Sequence, residues 1–271
     1  MKAQIHTLIL AAGKGTRMKS ELPKVVHPVL GRPMVSYVID AAQAVGSAKT
    51  IVITGYKSEV VREALADYKV DFVEQTEQLG TGHAVQCYAE TKPELPDHLL
   101  VICGDTPLIS RQTLKEMIEL HLKEKPAITM MTLEMAEPGN YGRIIRQKDQ
   151  VTAIREAKDC DSKQLGIKEV NLAVYLFESS FLFDNIFKLN SKNSQNEFYL
   201  TDLIEMASNQ SLKILACIEK DEASTLGINS RQHLAQVGRI LQQKVIEQLM
   251  DSGVTIVDPD QTFIGPDVNI G

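Results

Sequence analysis

The chain has 271 residues, 44% of them hydrophobic, and carries 29 basic side chains against 35 acidic ones, a formal charge of −6 at pH 7. That composition excludes a fibrous or disordered chain, and its acid surplus makes a poor partner for nucleic acid or anionic membrane, both of which need basic side chains to displace counterions. No apolar run approaches the ~20 residues that cross a bilayer, no basic leader precedes the short run at residues 8–12, and Cys87, Cys103, Cys160 and Cys217 form no C-x-x-C pair, so a cytoplasmic protein with reduced, structural thiols is expected.

Short β-branched runs alternate with segments of helical period through the first half, the pattern of β-α-β units and hence an α/β fold with a mainly parallel twisted sheet. Residues 5–12 read as the first strand. Pro33 opens a helix that Gly46 stops, and residues 50–54 form the next strand. Ser58 is read as the N-cap of a helix to about Tyr68, followed by a strand at 70–73 and a helix opened by Gly80-Thr81-Gly82. Residues 99–103 are continuously apolar and end in Gly104-Asp105, as expected of a central strand buried on both faces whose C-terminal end meets a ligand. After a helix over 110–123 come strands at 128–135, 143–146, 151–155 and 170–177, with a hairpin turn at Lys148-Asp149. A helix is expected from Tyr199-Leu200-Thr201-Asp202, and a long amphipathic one over 229–250, with Leu234, Val237, Ile240, Leu241, Val245 and Leu249 on one face and Gly253 past its end. Ile264-Gly265 recurs as Ile270-Gly271 after six residues, the period of hexapeptide β-helix repeats. The expected division is 1–228 for the α/β domain, 229–252 for a connector helix, and 253–271 for the first coil of a truncated left-handed β-helix.

The strongest chemical signal is Gly13-Lys14-Gly15-Thr16-Arg17-Met18, directly after the first strand, with Pro23-Lys24 close behind. Glycines there let the backbone turn and offer its N–H groups to a phosphate, and Arg17 and Lys24 add positive charge. It is not a dinucleotide fingerprint, because Met18 stands at the third glycine position and no acid ends the second strand. Nor is it a Walker loop, which needs G-K-[ST] after a four-residue gap. The bland alternatives are a plain strand-to-helix turn for the glycines, a turn residue for Asp105, an N-cap of the long helix for Asn229, surface polarity for Gln75 and Glu156, and a hydrogen-bonded structural role for His83.

The loop and its lysine resemble the signature of the sugar-phosphate nucleotidylyltransferases, and in particular the bacterial bifunctional N-acetylglucosamine-1-phosphate uridylyltransferase/glucosamine-1-phosphate acetyltransferase family. The resemblance continues through Gln75, Leu79-Gly80-Thr81-Gly82-His83-Ala84, Gly104-Asp105-Thr106-Pro107-Leu108, Tyr141-Gly142-Arg143-Ile144, Glu156-Ala157-Lys158-Asp159, Glu169-Val170-Asn171, Glu197 to Asp202, and Gly227-Ile228-Asn229. It implies a Rossmann-like nucleotidylyltransferase that couples UTP with N-acetylglucosamine 1-phosphate, releasing pyrophosphate. The attacking phosphate is already anionic, so two polyanions must be aligned and neutralised and no deprotonated nucleophile is required. The resemblance assigns Mg²⁺ to Asp105 and Asn229, charge stabilisation to Arg17 and Lys24, uracil and ribose contacts to Leu10, Ala11, Ala12, Gly13, Gln75, Gly80 and Thr81, and the sugar to Gly142, Glu156 and Asn171, with Lys24 and Asn229 also touching substrate. It implies a homotrimer through a complete β-helix, whereas this chain is expected to be monomeric and to lack acetyltransferase activity. Two readings stay open beside it: a same-fold enzyme for another sugar 1-phosphate, and a non-catalytic nucleotide-sugar-binding relative. Three departures bear on this. Asn171-Leu172-Ala173 stands where relatives usually have Asn-Thr-Gly, Cys103 where an aromatic is common, and Ser230 where an acid is frequent.

Overall fold

A computed structural model describes residues 3–271. In chain order the strands are β1 (Ile5–Leu10), β2 (Pro28–Val29), β3 (Arg32–Pro33), β4 (Lys49–Thr54), β5 (Asp71–Glu74), β6 (His98–Cys103), β7 (Ile128–Glu134), β8 (Arg143–Gln147), β9 (Gln150–Arg155), β10 (Glu169–Glu178) and β11 (Ile214–Ile218). The α-helices are α1 (Met34–Ala44), α2 (Ser58–Ala64), α3 (Thr81–Glu90), α4 (Arg111–Glu124), α5 (Ser162–Leu165), α6 (Ser179–Asn185), α7 (Asp202–Asn209) and α8 (Arg231–Asp251).

The main sheet runs β11-β7-β10-β6-β1-β4-β5, with the β8–β9 hairpin attached to β10. β1 pairs in parallel with β4 and β6, β4 with β5, and β11 with β7, whereas β10 is antiparallel to both β6 and β7. Six of the seven strands on that path therefore point one way and only β10 opposes them, the mostly parallel Rossmann-like arrangement expected from the sequence. In β6, Leu99 and Val101 face one apolar layer and Leu100 and Ile102 the other, all four fully buried. One layer is completed by Val35, Val38 and Ile39 of α1, Val61 of α2, and Leu114 and Met117 of α4. The other is completed by Val85 of α3, Leu182 of α6, and Leu203 and Ile204 of α7. Each fully buried Leu or Ile side chain contributes about 1.5–3 kcal/mol of burial, which explains the continuous apolar run.

Some local expectations are corrected. β1 stops at Leu10, because Ala11 and Ala12 already belong to the loop, although Ala11 N–H still donates to Ile53 O at 2.9 Å. Ser58 is the first residue of α2 and caps nothing: its Oγ shares a hydrogen with Thr54 Oγ1 at 2.8 Å, and the helix ends at Ala64 instead of near Tyr68. The long helix begins at Arg231, with Ser230 as its N-cap accepting from His233 N–H at 3.2 Å. Asn229 is thus not the cap. Among the described residues, 253–271 contain one 3₁₀ turn and no strand, so the expected β-helix coil is not formed as such; a coil's strands pair only with neighbouring coils. Ile264-Gly265 leads instead into a turn in which Val268 N–H donates to Gly265 O at 3.2 Å.

Candidate active site

Met18, which breaks the dinucleotide pattern, anchors the glycine loop. It is 1% exposed and packs with Val29, Met34, Leu108, Ile228 and Val237, so the loop is tied to α1 and α8 at once. Gly15 sits at φ +67, and a Cβ on it would lie 2.5 Å from Lys24 Cβ. The tight turn therefore requires glycine there, and it lays the Lys24 stem alongside the loop.

Four side chains distant in sequence meet at this point. Lys24 Nζ forms a close ion pair with Asp105 and donates to Asn229 Oδ1 at 3.2 Å, and Arg17 Nη2 donates to the same oxygen at 2.9 Å. The backbone fixes the meeting: Gly104 N–H donates to Leu10 O, and Ile228 N–H donates to Asp105 O, each at 2.9 Å. The loop before α8 is thus stitched to the end of β6. Among the described residues no cluster of three or more His, Cys, Asp or Glu surrounds a metal position. A single carboxylate beside an amide oxygen fits a hard cation that draws its other ligands from phosphate and water, as Mg²⁺ does.

Beside this cluster opens a cavity of about 260 Å³ lined by Leu10, Ala11, Ala12, Gly13, Lys24, Gln75, Gly80, Thr81 and Asp105. Every residue expected at the uracil and ribose therefore lines one cavity. Gln78, Cys103 and Glu197 also line it, and the resemblance assigns them no contact. Gln75 is 3% exposed and its Nε2 donates to Gly80 O and approaches His83 Nδ1, each at 3.0 Å. Gly80 adopts φ +110 with Phe198 O only 2.6 Å from where a Cβ would be, so no other residue fits. The Thr81 hydroxyl accepts from Leu200 N–H at 3.1 Å, so it braces α3 against the turn before α7 as well as lining the cavity.

The three residues expected at the sugar are also neighbours. Asn171 N–H donates to Gly142 O at 2.9 Å, and a Cβ on Gly142 would lie 3.1 Å from Ile154 Cγ2 and 3.5 Å from Glu156 Oε1. Asn171, assigned to substrate alone, is also bound internally: Nδ2 donates to Tyr175 Oη at 2.6 Å, and Oδ1 accepts from Ala173 N–H at 3.1 Å. Glu156 has its carboxyl raised above the ordinary range, first by burial and then by the nearby acids Asp159, Asp202 and Glu197, while the Thr201 hydroxyl, 3.4 Å away, opposes the shift. It borders a second cavity of about 470 Å³ with Asp159, Tyr199 and Asp202, which Gly142 and Asn171 do not line. Burial, reinforced by Asp105, pushes the Cys103 thiol up to about 12, so it stays protonated at neutral pH. Tyr175 and Thr201, which hold Asn171 and Glu156, had no signal in the sequence beyond membership in a strand or motif.

Fold and site together define a nucleotidyltransferase. Residues 7–166 match the MobA-like NTP transferase domain, and the chain belongs to that family. More narrowly, it is 42% identical over 268 residues to the "Bifunctional protein GlmU" of Syntrophotalea carbinolica, a match that covers 99% of this chain and 58% of the relative. The same-named protein of Fervidobacterium nodosum is 44% identical over 267 residues, covering 98% of this chain and 57% of that one. The chain therefore spans a little over half the length of the curated relatives it matches. A crystal structure of UDP-glucose pyrophosphorylase complexed with UDP-glucose superposes with a TM-score of 0.72 at 19% identity, over 89% of this chain and 99% of that one, a likeness of fold. No helix among the described residues is long and apolar enough to cross a membrane.

Proposed function

We propose that this chain is a uridylyltransferase joining UTP to N-acetylglucosamine 1-phosphate, giving UDP-N-acetylglucosamine and pyrophosphate, in the cytoplasm and in supply of cell-envelope precursors. The observation that carries the reading is the convergence of Arg17, Lys24, Asp105 and Asn229 at the rim of the cavity holding Gln75 and Gly80. An oxygen of the sugar phosphate attacks the α-phosphorus of UTP, the new P–O bond forms, and the bond to the β-phosphate oxygen breaks with its electrons leaving on pyrophosphate. No proton need move, because nucleophile and leaving group are both anions. Arg17 and Lys24 neutralise charge on the triphosphate and its leaving portion. Asp105 and Asn229 would hold Mg²⁺, which would supply positive charge to offset that of the reacting phosphates. Gly142, Glu156 and Asn171 orient the sugar through acceptors and donors suited to hydroxyl and N-acetyl groups.

The assay is pyrophosphate release from UTP with N-acetylglucosamine 1-phosphate, beside glucose 1-phosphate and an EDTA control. Metal-dependent release with the N-acetylated sugar alone supports the reading. Release with glucose 1-phosphate alone keeps the fold and metal site but redraws the sugar pocket. No release with either sugar points to a different substrate or a binding role. The 1–228, 229–252 and 253–271 division belongs to the same proposal, with Ile264-Gly265 and Ile270-Gly271 as the start of a hexapeptide pattern.

A further inference from the structure

Resting on the uridine-nucleotide reading, we infer that His83 is a positioning residue for base selection: it fixes the Gln75 side-chain amide so that this amide presents its carbonyl oxygen, and not its NH₂, to the nucleotide cavity. Gln75 and His83 lie eight positions apart, one after the end of β5 and the other in the first turn of α3. Gln75 is 3% exposed, so its amide has little water to bond with and depends on protein partners.

The hydrogen-bond accounting is closed. Gly80 O can only accept, so the amide atom 3.0 Å from it is the NH₂. That nitrogen has two hydrogens, and its second neighbour is His83 Nδ1, also at 3.0 Å, which must then accept. A neutral imidazole accepting at Nδ1 carries its proton at Nε2, and there Cys87 Sγ lies 3.8 Å away as a weak acceptor. Burial raises the Cys87 thiol, which keeps sulfur neutral in that role. Both amide hydrogens of Gln75 are thereby consumed inside the protein. What remains for a base is the Oε1 acceptor, which suits an imide N–H such as uracil's and leaves cytosine's ring nitrogen, itself an acceptor, unpaired.

Gly80 O alone leaves the amide one anchor about which it can swing, freeing an N–H to meet an acceptor on the wrong base. His83 supplies the second anchor. It touches no substrate and acts through Gln75.

The test is UTP and CTP affinity by titration calorimetry on the whole chain for wild type, His83→Ala and His83→Asn, with far-UV dichroism as the folding check. Wild type is expected to prefer UTP. His83→Ala is expected to lose about three- to tenfold of that preference, the span of one neutral hydrogen bond, chiefly through weaker UTP binding. His83→Asn, whose side-chain oxygen can accept where Nδ1 did, is expected to recover most of it. An unchanged UTP:CTP ratio in a folded His83→Ala overturns the inference, as does a ratio lost equally in both variants. A wild type without preference for UTP fails at the earlier step, and refutes the uridine reading together with this one.

Discussion

Replacing Ala173 by glycine is expected to stabilise the protein without altering its substrate site. Ala173 sits in β10 at φ +54, in the left-handed region, where a Cβ costs about 1–2 kcal/mol. The cause is a bulge: between Asn171 and Tyr175 the pairing with β7 advances only from Thr132 to Met130, so four steps on β10 match two on its partner. Glycine removes the strain but gives the unfolded chain more freedom, which returns about 0.4–1 kcal/mol. The half-buried methyl packs on one apolar layer, and its loss trims the gain toward the lower end of a net ~0.5–1 kcal/mol. For a chain of this length that is a rise in Tm of about 1–2 °C. Calorimetry and urea unfolding of Ala173→Gly read it directly, and pyrophosphate release should stay within about twofold, because Asn171 keeps its bonds to Gly142 and Tyr175. A variant less stable than wild type would refute the reasoning, and would mean that packing of the methyl outweighs backbone strain.

Asp105→Ala is expected to lower turnover at least about a hundredfold while UTP still binds, read by pyrophosphate release beside calorimetry; full retention of rate would remove Asp105 from the metal site. Thr201→Val takes away the hydroxyl that holds the Glu156 carboxylate down against burial, so the acid limb of kcat/KM for the sugar phosphate should move to higher pH. His121 is fully buried against Thr129 and His98, and burial, reinforced by His98, lowers it to about 3 from the 6.5 expected in the unfolded chain. Its contribution to stability is therefore complete above pH 6.5 and lost as pH falls, by up to about 1.4 kcal/mol per pH unit, and urea midpoints for His121→Gln should fall less steeply between pH 7.5 and 5.5 than those of wild type.

The elements most legible in the sequence are those whose pattern is local. β6 announces itself by a fully apolar run and α4 by Ser110, whose hydroxyl accepts from Thr113 N–H at 3.1 Å as an N-cap should. β11 carries no such signal because it is an edge strand whose side chains are half-buried or, at Ile218, exposed, and so lacks both continuous burial and clean alternation. α6 was not foreseen because its cap is Glu178, outside the usual capping residues, accepting from Phe181 N–H at 3.0 Å. The site residues were legible through resemblance; their geometry was not. Read alone, Asn229 looks like a cap, and only the placement of Ser230 in that role leaves its amide for Arg17 and Lys24.

The reversed strand explains how Gly142, Glu156 and Asn171, the residues expected at the sugar, reach the same sheet edge as the glycine loop after β1. In a purely parallel sheet the C-terminal edge collects only loops that follow strands, such as those after β1 and β6. β10 enters at that edge because it runs the other way: Tyr175 pairs with Val101 and Glu178 with His98, which leaves the start of β10 beside the end of β6. Asn171 is thereby brought toward Cys103 and Asp105, and Val170 pairs with Arg143, carrying Gly142 to the same place. The β8–β9 hairpin then delivers Glu156 just past its second strand. The bulge at Ala173 follows from this arrangement, since β10 must stay paired with β6 over residues 175–178 and with β7 at both ends while its middle turns Asn171 toward Tyr175. Backbone strain at one alanine is thus the local cost of joining the two halves of the site on a single strand.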